Sequence, residues 1–211
     1  MKKKLILVLT LLTFVVTSAG CVKVVKIGEE GKYTGKVEFS ASDSVSDMWD
    51  DVVEDITSRA VELPTFLQEA NGDLKSLADQ YGKYSMGTSG AISYPVKGTG
   101  KIIEVENGKK AGYMVIELAD YTGSETIKIQ IGSIYKGSST RDTLTIINFG
   151  DYTNQEEWAA ISQQLHTMIH KNVITPANPA DLEGKTISFV GTFTADANDE
   201  LVITPISIEV Q

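Results

Sequence analysis

Six stretches of this chain alternate apolar and polar residues with a period of two, and a single strong helical stripe interrupts them. No other feature limits the fold so tightly. The stretches are Lys101–Val105, Tyr113–Leu118, Ile127–Ile131, Thr143–Phe149, Thr186–Phe193 and Leu201–Val210. In Ile127-Lys128-Ile129-Gln130-Ile131 the alternation is strict, so one face carries three isoleucines and the other carries polar groups. Asn107-Gly108 offers a turn between the first two stretches. The helical stripe is Trp158, Ile161, Leu165, Met168 and Ile169, with Thr153 and Glu156 at capping-box spacing. Three strands, a helix and two strands is the order of an OB-type barrel, with an extra strand near Ile146 that either completes the barrel or covers it.

Upstream the period is helical. Val45, Trp49, Val52, Val53, Ile56 and Ala60 form one apolar stripe, with Asp50, Asp51, Glu54 and Asp55 turned outward and Ser44 or Asp43 as cap. These four acidic residues lack the glycine and spacing of a calcium loop and read as a solvated face. Pro64 ends this segment and suits the first turn of the next. Asp73 to Gly82 reads as a capped helix closed by a left-handed glycine. The expected fold is therefore α+β. A helical segment, residues 43–94, packs on an OB-like antiparallel β-barrel, residues 95–211, whose inserted helix spans about 154–171.

The first 20 residues read as a signal peptide. Lys2, Lys3 and Lys4 precede an apolar run from Leu5 to Val16 that is shorter than the roughly 20 residues of a spanning helix. Ser18-Ala19-Gly20-Cys21 resembles a lipobox, and Cys21, the only cysteine, has no disulfide partner within the chain. Lipidation of Cys21 would hold the protein on a membrane without a spanning helix. Val22 is not the aspartate that resembles an inner-membrane retention signal. Residues 21–42 then serve as a lipid-anchored linker or a short strand.

Removal of residues 1–20 leaves 211 − 20 = 191 residues with 16 basic and 28 acidic side chains, a net charge of 16 − 28 = −12. Such a surface repels phosphate backbones, so nucleic acid is not an expected partner despite the OB-type order. It also gives no polybasic grip on anionic lipid, which leaves Cys21 as the membrane contact.

A denser constellation lies in the middle of the chain. Ile131-Gly132-Ser133-Ile134-Tyr135-Lys136-Gly137-Ser138-Ser139-Thr140-Arg141-Asp142 is followed by Phe149-Gly150-Asp151-Tyr152-Thr153-Asn154-Gln155-Glu156-Glu157-Trp158-Ala159. Together with the Trp49 helix, Tyr81-Gly82, Gly98-Thr99-Gly100 and Gly184-Lys185-Thr186, this resembles the predicted periplasmic lipoproteins of domain of unknown function 2291. Ser133 departs from the proline more common there. The resemblance brings no established activity. It implies a setting beside ABC-type sugar importers, ribose-like systems in particular.

Arg141, Asp142, Asp151, Tyr152, Asn154 and Gln155 are the candidate ligand- or partner-binding residues. A guanidinium, carboxylates and amides at one end of a barrel suit sugar hydroxyls, and Tyr152 or Tyr135 can stack on a ring. The same residues also suit internal work: Arg141 paired with Asp151, Thr153 and Asn154 capping the helix, and Gln155 satisfying nearby backbone. His166 and His170, four apart, lack the glutamate and third ligand of a zinc site, so no metal is expected. No nucleophile elbow or dinucleotide loop is present, so neither enzymatic activity nor a cofactor is expected. These observations favour a lipid-anchored, non-enzymatic accessory of carbohydrate uptake, with a sugar, a sugar ABC transporter or its binding protein as partner. The alternative is an envelope protein–protein interaction module without a small-molecule ligand.

Overall fold

The alternating stretches become strands because each buries one row of branched side chains and leaves the other outside. The computed structural model describes residues 39–195 and 200–211, and residues 40–211 cluster as one unit. The leader, Cys21 and the tether or strand expected before residue 39 lie outside the described residues. Helices α1 (Ala41–Asp47), α2 (Trp49–Arg59), α3 (Leu63–Ala70) and α4 (Ala78–Tyr81) are interspersed with the short strands β1 (Val61–Glu62) and β2 (Lys83–Tyr84). Then come β3 (Ile92–Glu106), β4 (Tyr113–Leu118), β5 (Thr126–Gln130), α5 (Ser139–Thr143), α6 (Gln155–Ile169), α7 (Thr175–Ala177), β6 (Thr186–Thr194) and β7 (Glu200–Val210).

The long β3 organises the sheet. Its first part pairs antiparallel with β6 from Ser93–Thr194 to Lys101–Thr186, and its last part pairs with β4 from Gly100–Leu118 to Glu106–Tyr113. The ladder continues β4–β5–β7–β6 and so returns to β3. Ile102, Met114, Ile116, Ile127, Ile129, Ile187, Leu201 and Ile203 are buried. The expected all-antiparallel pairing fails at two steps: β5 and β7 run parallel, with Ile127 opposite Leu201, and the short β1 pairs parallel with β3, with Val61 opposite Val96. The crossover through α5 and α6 leads first to β6, and β7 turns back beside it.

Gly100 sits where β3 serves both neighbours. A Cβ there would lie 2.5 Å from Ile116 Cγ2 and 2.6 Å from the Glu117 carbonyl oxygen. A side chain would force the strands apart, so glycine is what permits the close approach.

The apolar stripe expected from residue 45 is divided between α1 and α2 at Met48, and Ser40, rather than Ser44 or Asp43, caps its start. Pro64 stands in the first turn of α3. Phe66 of α3 lies 4.8 Å from the Tyr94 ring and 5.5 Å from Phe193, and all three are fully buried. Each such side chain contributes roughly 1.5–3 kcal/mol on burial. Tyr94 also donates its hydroxyl to the Leu74 carbonyl at 2.6 Å. The segment before Gly82 differs from expectation: Leu74–Leu77 is a 3-10 turn capped by Asp73, α4 is short, and Gly82 has φ −90°, outside the left-handed region.

The strand expected at Thr143–Phe149 does not form. Thr143 closes α5, and the residues after it run as a strap whose backbone groups are taken by side chains. Arg59 donates to the Thr143 carbonyl at 2.9 Å, Lys83 donates to the Leu144 carbonyl, and the Thr145 amide donates to Asp55 at 3.0 Å. Buried backbone must find partners, and here α2 and β2 supply them in place of a neighbouring strand. Burial lifts the Asp55 carboxyl, but the hydrogen bonds from Arg59 and Thr145 outweigh it and hold Asp55 below its ordinary pKa.

Candidate functional site

The segment after β5 turns back to a network of small hydroxyls. Gln130 donates to Thr204 Oγ1 at 2.8 Å and accepts from the Lys136 amide. Ser139 Oγ lies 2.9 Å from Thr192 Oγ1 and 3.3 Å from Thr204 Oγ1, and Thr140 Oγ1 lies 3.2 Å from Thr192 Oγ1. All five side chains are buried. Their mutual bonding offsets the cost of removing them from water. The network fixes α5 against β6 and β7 and so sets where Arg141 begins.

Arg141 and Asp142 are 12% and 11% exposed and form a pair. Arg141 Nε and Nη2 both donate to Asp142 Oδ1, at 2.9 and 2.6 Å, while Nη1 donates to the Trp158 carbonyl at 3.1 Å. The guanidinium also sits 4.5 Å from the Trp158 ring centroid. Burial pushes the Asp142 carboxyl up, against the downward pull of Arg141.

Asp151 is thus not the partner expected for Arg141. It accepts from the Asn148 amide at 2.7 Å and closes a tight turn before α6. Asn154, not Thr153, caps α6 by accepting from the Glu157 amide at 2.9 Å, and Glu157 accepts from the Thr153 amide at 2.8 Å. Tyr152 packs 5.1 Å from Trp158, and Gln155 opens α6 on its exposed side. The structure gathers Arg141, Asp142 and Tyr152 around Trp158 and leaves Asp151, Asn154 and Gln155 at the exposed entry to the helix.

A second group lies farther along α6. Beyond Ile169 the helix widens into a π-turn, His170–Ile174, in which the Thr175 amide donates to the His170 carbonyl. The cause is in the sequence: Pro176 has no N–H for the Asn172 carbonyl and its ring would crowd it, so the widened turn relieves the clash. Such turns recur at functional sites.

Beside the π-turn is an open cleft of about 640 Å³, walled by Ser133 to Tyr135 on one side and by Gln163, His166, Thr167 and His170 on the other. The Tyr135 and His166 rings stack at 4.7 Å, 19° from parallel. Tyr135 Oη, His166 Nε2 and His170 Nδ1 are buried without a hydrogen-bond partner. Burial, then the nearby charge of Arg141, lowers the His166 pKa to about 4, and burial raises that of Tyr135. At neutral pH both present uncharged hydrogen-bonding groups.

Gln163, Thr167, Lys171 and Thr175 are the cleft residues that sequence reasoning missed. Gln163, His166, Thr167 and His170 recur at i, i+3, i+4 and i+7, a polar stripe at helical spacing that was there to be read. Among the described residues no group of three or more His, Cys, Asp or Glu side chains is arranged to hold a metal ion, and no helix is long and apolar enough to cross a membrane.

The model of one protein family, described as predicted periplasmic lipoprotein (DUF2291), matches residues 11–209. No curated protein matches the chain. Among solved structures, the crystal structure of an OB-fold protein from Thermotoga maritima aligns with a TM-score of 0.65 at 15% identity, covering 83% of this chain and 100% of that one. The likeness establishes the OB fold for this mixed helix-and-sheet chain.

Proposed function

Because the chain belongs to the DUF2291 family of predicted periplasmic lipoproteins, and so works outside the cytoplasm, we propose that it is a non-enzymatic accessory of carbohydrate import, of the ribose-type ABC class. In this reading the lipid sits on Cys21, and the functional body is a helical segment packed on an OB-like barrel. One observation supports it above others. Polar groups gather beside α6: Arg141 is fixed between Asp142 and Trp158, near a cleft in which His166 and Tyr135 are uncharged at neutral pH.

Cross-linking in native membranes tests the reading. The wild-type chain is expected to capture subunits of a carbohydrate importer or its binding protein, and a Cys21→Ser chain is expected to lose them. Capture of neither overturns the accessory role. A second reading, an envelope docking module without a small-molecule ligand, is favoured by Ile134, Ile146 and Phe149, three exposed apolar side chains on the loops that lead into α5 and α6. It predicts a defined partner unrelated to solute import.

A further inference from the structure

We propose that the cleft between Tyr135 and the polar stripe of α6 is the binding site for a neutral, polyhydroxylated small molecule of monosaccharide size. The inference rests on the reading of this chain as a protein that holds its ligand, and it replaces Arg141 and its neighbours as the place of contact.

Buried polar atoms without partners are costly, and three of them, Tyr135 Oη, His166 Nε2 and His170 Nδ1, belong to residues lining one cleft. A wholly apolar ligand would leave all three unpaired. A divalent cation needs carboxylates or a third strong donor, and the cleft walls contain no Asp, Glu or Cys. An anion would meet a single lysine and no arginine on the cleft walls, Lys171, within a mature chain of net charge −12.

What remains is a ligand that both donates and accepts. The phenol, the His166 imidazole and the Gln163 amide offer both functions without net charge, and the Thr167 and Thr175 hydroxyls, which donate to the Gln163 and His170 carbonyls, offer acceptor lone pairs. The volume lies within the roughly 300–1,000 Å³ usual for small-molecule sites. The π-turn contributes by widening the helix between His170 and Thr175, two of the lining residues.

The sequence supplies an unusually clean probe. The chain has two histidines, and both line this cleft, so any imidazole NMR signal reports on it alone. The mature chain, extracted with its lipid in a sugar-free detergent, is titrated with ribose, glucose, galactose, ribitol and myo-inositol, each up to about 50 mM.

The expected result is saturable movement of both imidazole signals by at least one polyol. Tyr135→Phe should weaken that binding roughly tenfold while its melting temperature holds or rises, because the change removes a hydroxyl that has no partner in the free protein. Gln163→Ala, on the exposed face of α6, should weaken binding without unfolding. Unmoved imidazole signals across the panel overturn the proposal, as does equal affinity in all three proteins. Movement by Zn²⁺ alone overturns it in favour of a metal site. If importer subunits are captured in membranes while the imidazoles stay unmoved, the site assignment falls and the accessory role stands. If polyols bind but no importer subunit is captured, the reverse holds.

Discussion

Arg141 donates twice to the carboxylate of its own neighbour, Asp142, and its remaining reach goes to Trp158, whose carbonyl it bonds and whose ring it faces at 4.5 Å. Both charges are nearly buried, so removing one strands the other in a poorly solvated place. Arg141→Met is therefore expected to cost about 3–5 kcal/mol, and Arg141→Met combined with Asp142→Leu to recover most of that loss. Urea denaturation of the two single variants and the double variant measures the coupling. An additive double variant would show that the pair is not a unit.

His166 gives the protein a specific acid sensitivity. Its folded pKa of about 4 lies below the unfolded value of about 6.5, so as pH falls the unfolded chain takes the proton first. Stability is whole above about pH 6.5 and declines toward pH 4, by about 2 kcal/mol once partial solvent screening is allowed for. His166→Gln should flatten that slope. Asp142, raised by burial, acts in the opposite direction where it titrates, so direct NMR titration of the His166 ring is the cleaner measurement.

Asp55 holds the strap after α5 by accepting from the Thr145 amide and hydroxyl while paired to Arg59 at 2.7 Å. Asp55→Asn is expected to cost roughly 1–3 kcal/mol. It should also speed hydrogen exchange at the Thr145 amide while the Ile129 amide stays protected. Equal acceleration at both sites would mean that the strap and the sheet open together.

The misreading of that strap shows what alternation can and cannot tell. Thr143 to Phe149 has the composition of a strand, but the partners of its backbone, Arg59, Lys83 and Asp55, lie 60 to 90 positions away in the chain. No local pattern encodes them. The first half of β3 escaped notice for the opposite reason: Pro95, Gly98 and Gly100 interrupt the alternation that its neighbours display. The OB-type order was readable because five strands each bury one row of side chains. Around Arg141 the observed partner is Asp142 and not the expected Asp151, since the proximity of Asp142 and the capping duty of Asp151 are settled only by how α5 and the turn at 149–151 sit. The cleft stripe on α6 was legible as spacing, but its meaning depends on Tyr135, which comes from the loop after β5.

Gly100→Ala should be among the more damaging small substitutions in the chain, because its Cβ would meet backbone as well as a side chain of β4. The expected loss is roughly 1–3 kcal/mol or more. Gly150→Ala, where nothing lies within 4 Å, should stay within about 0.5 kcal/mol of wild type. Thermal or urea denaturation of the pair separates close strand approach from a general effect of removing glycine.

The most direct test of the whole account is the initial rate of labelled-sugar uptake, at limiting sugar, in cells lacking this protein. The account predicts slower uptake of at least one pentose or hexose, restored by the wild-type chain and not by Cys21→Ser, whose product lacks the lipid. Unchanged uptake of every sugar, or full rescue by the unlipidated chain, would contradict it.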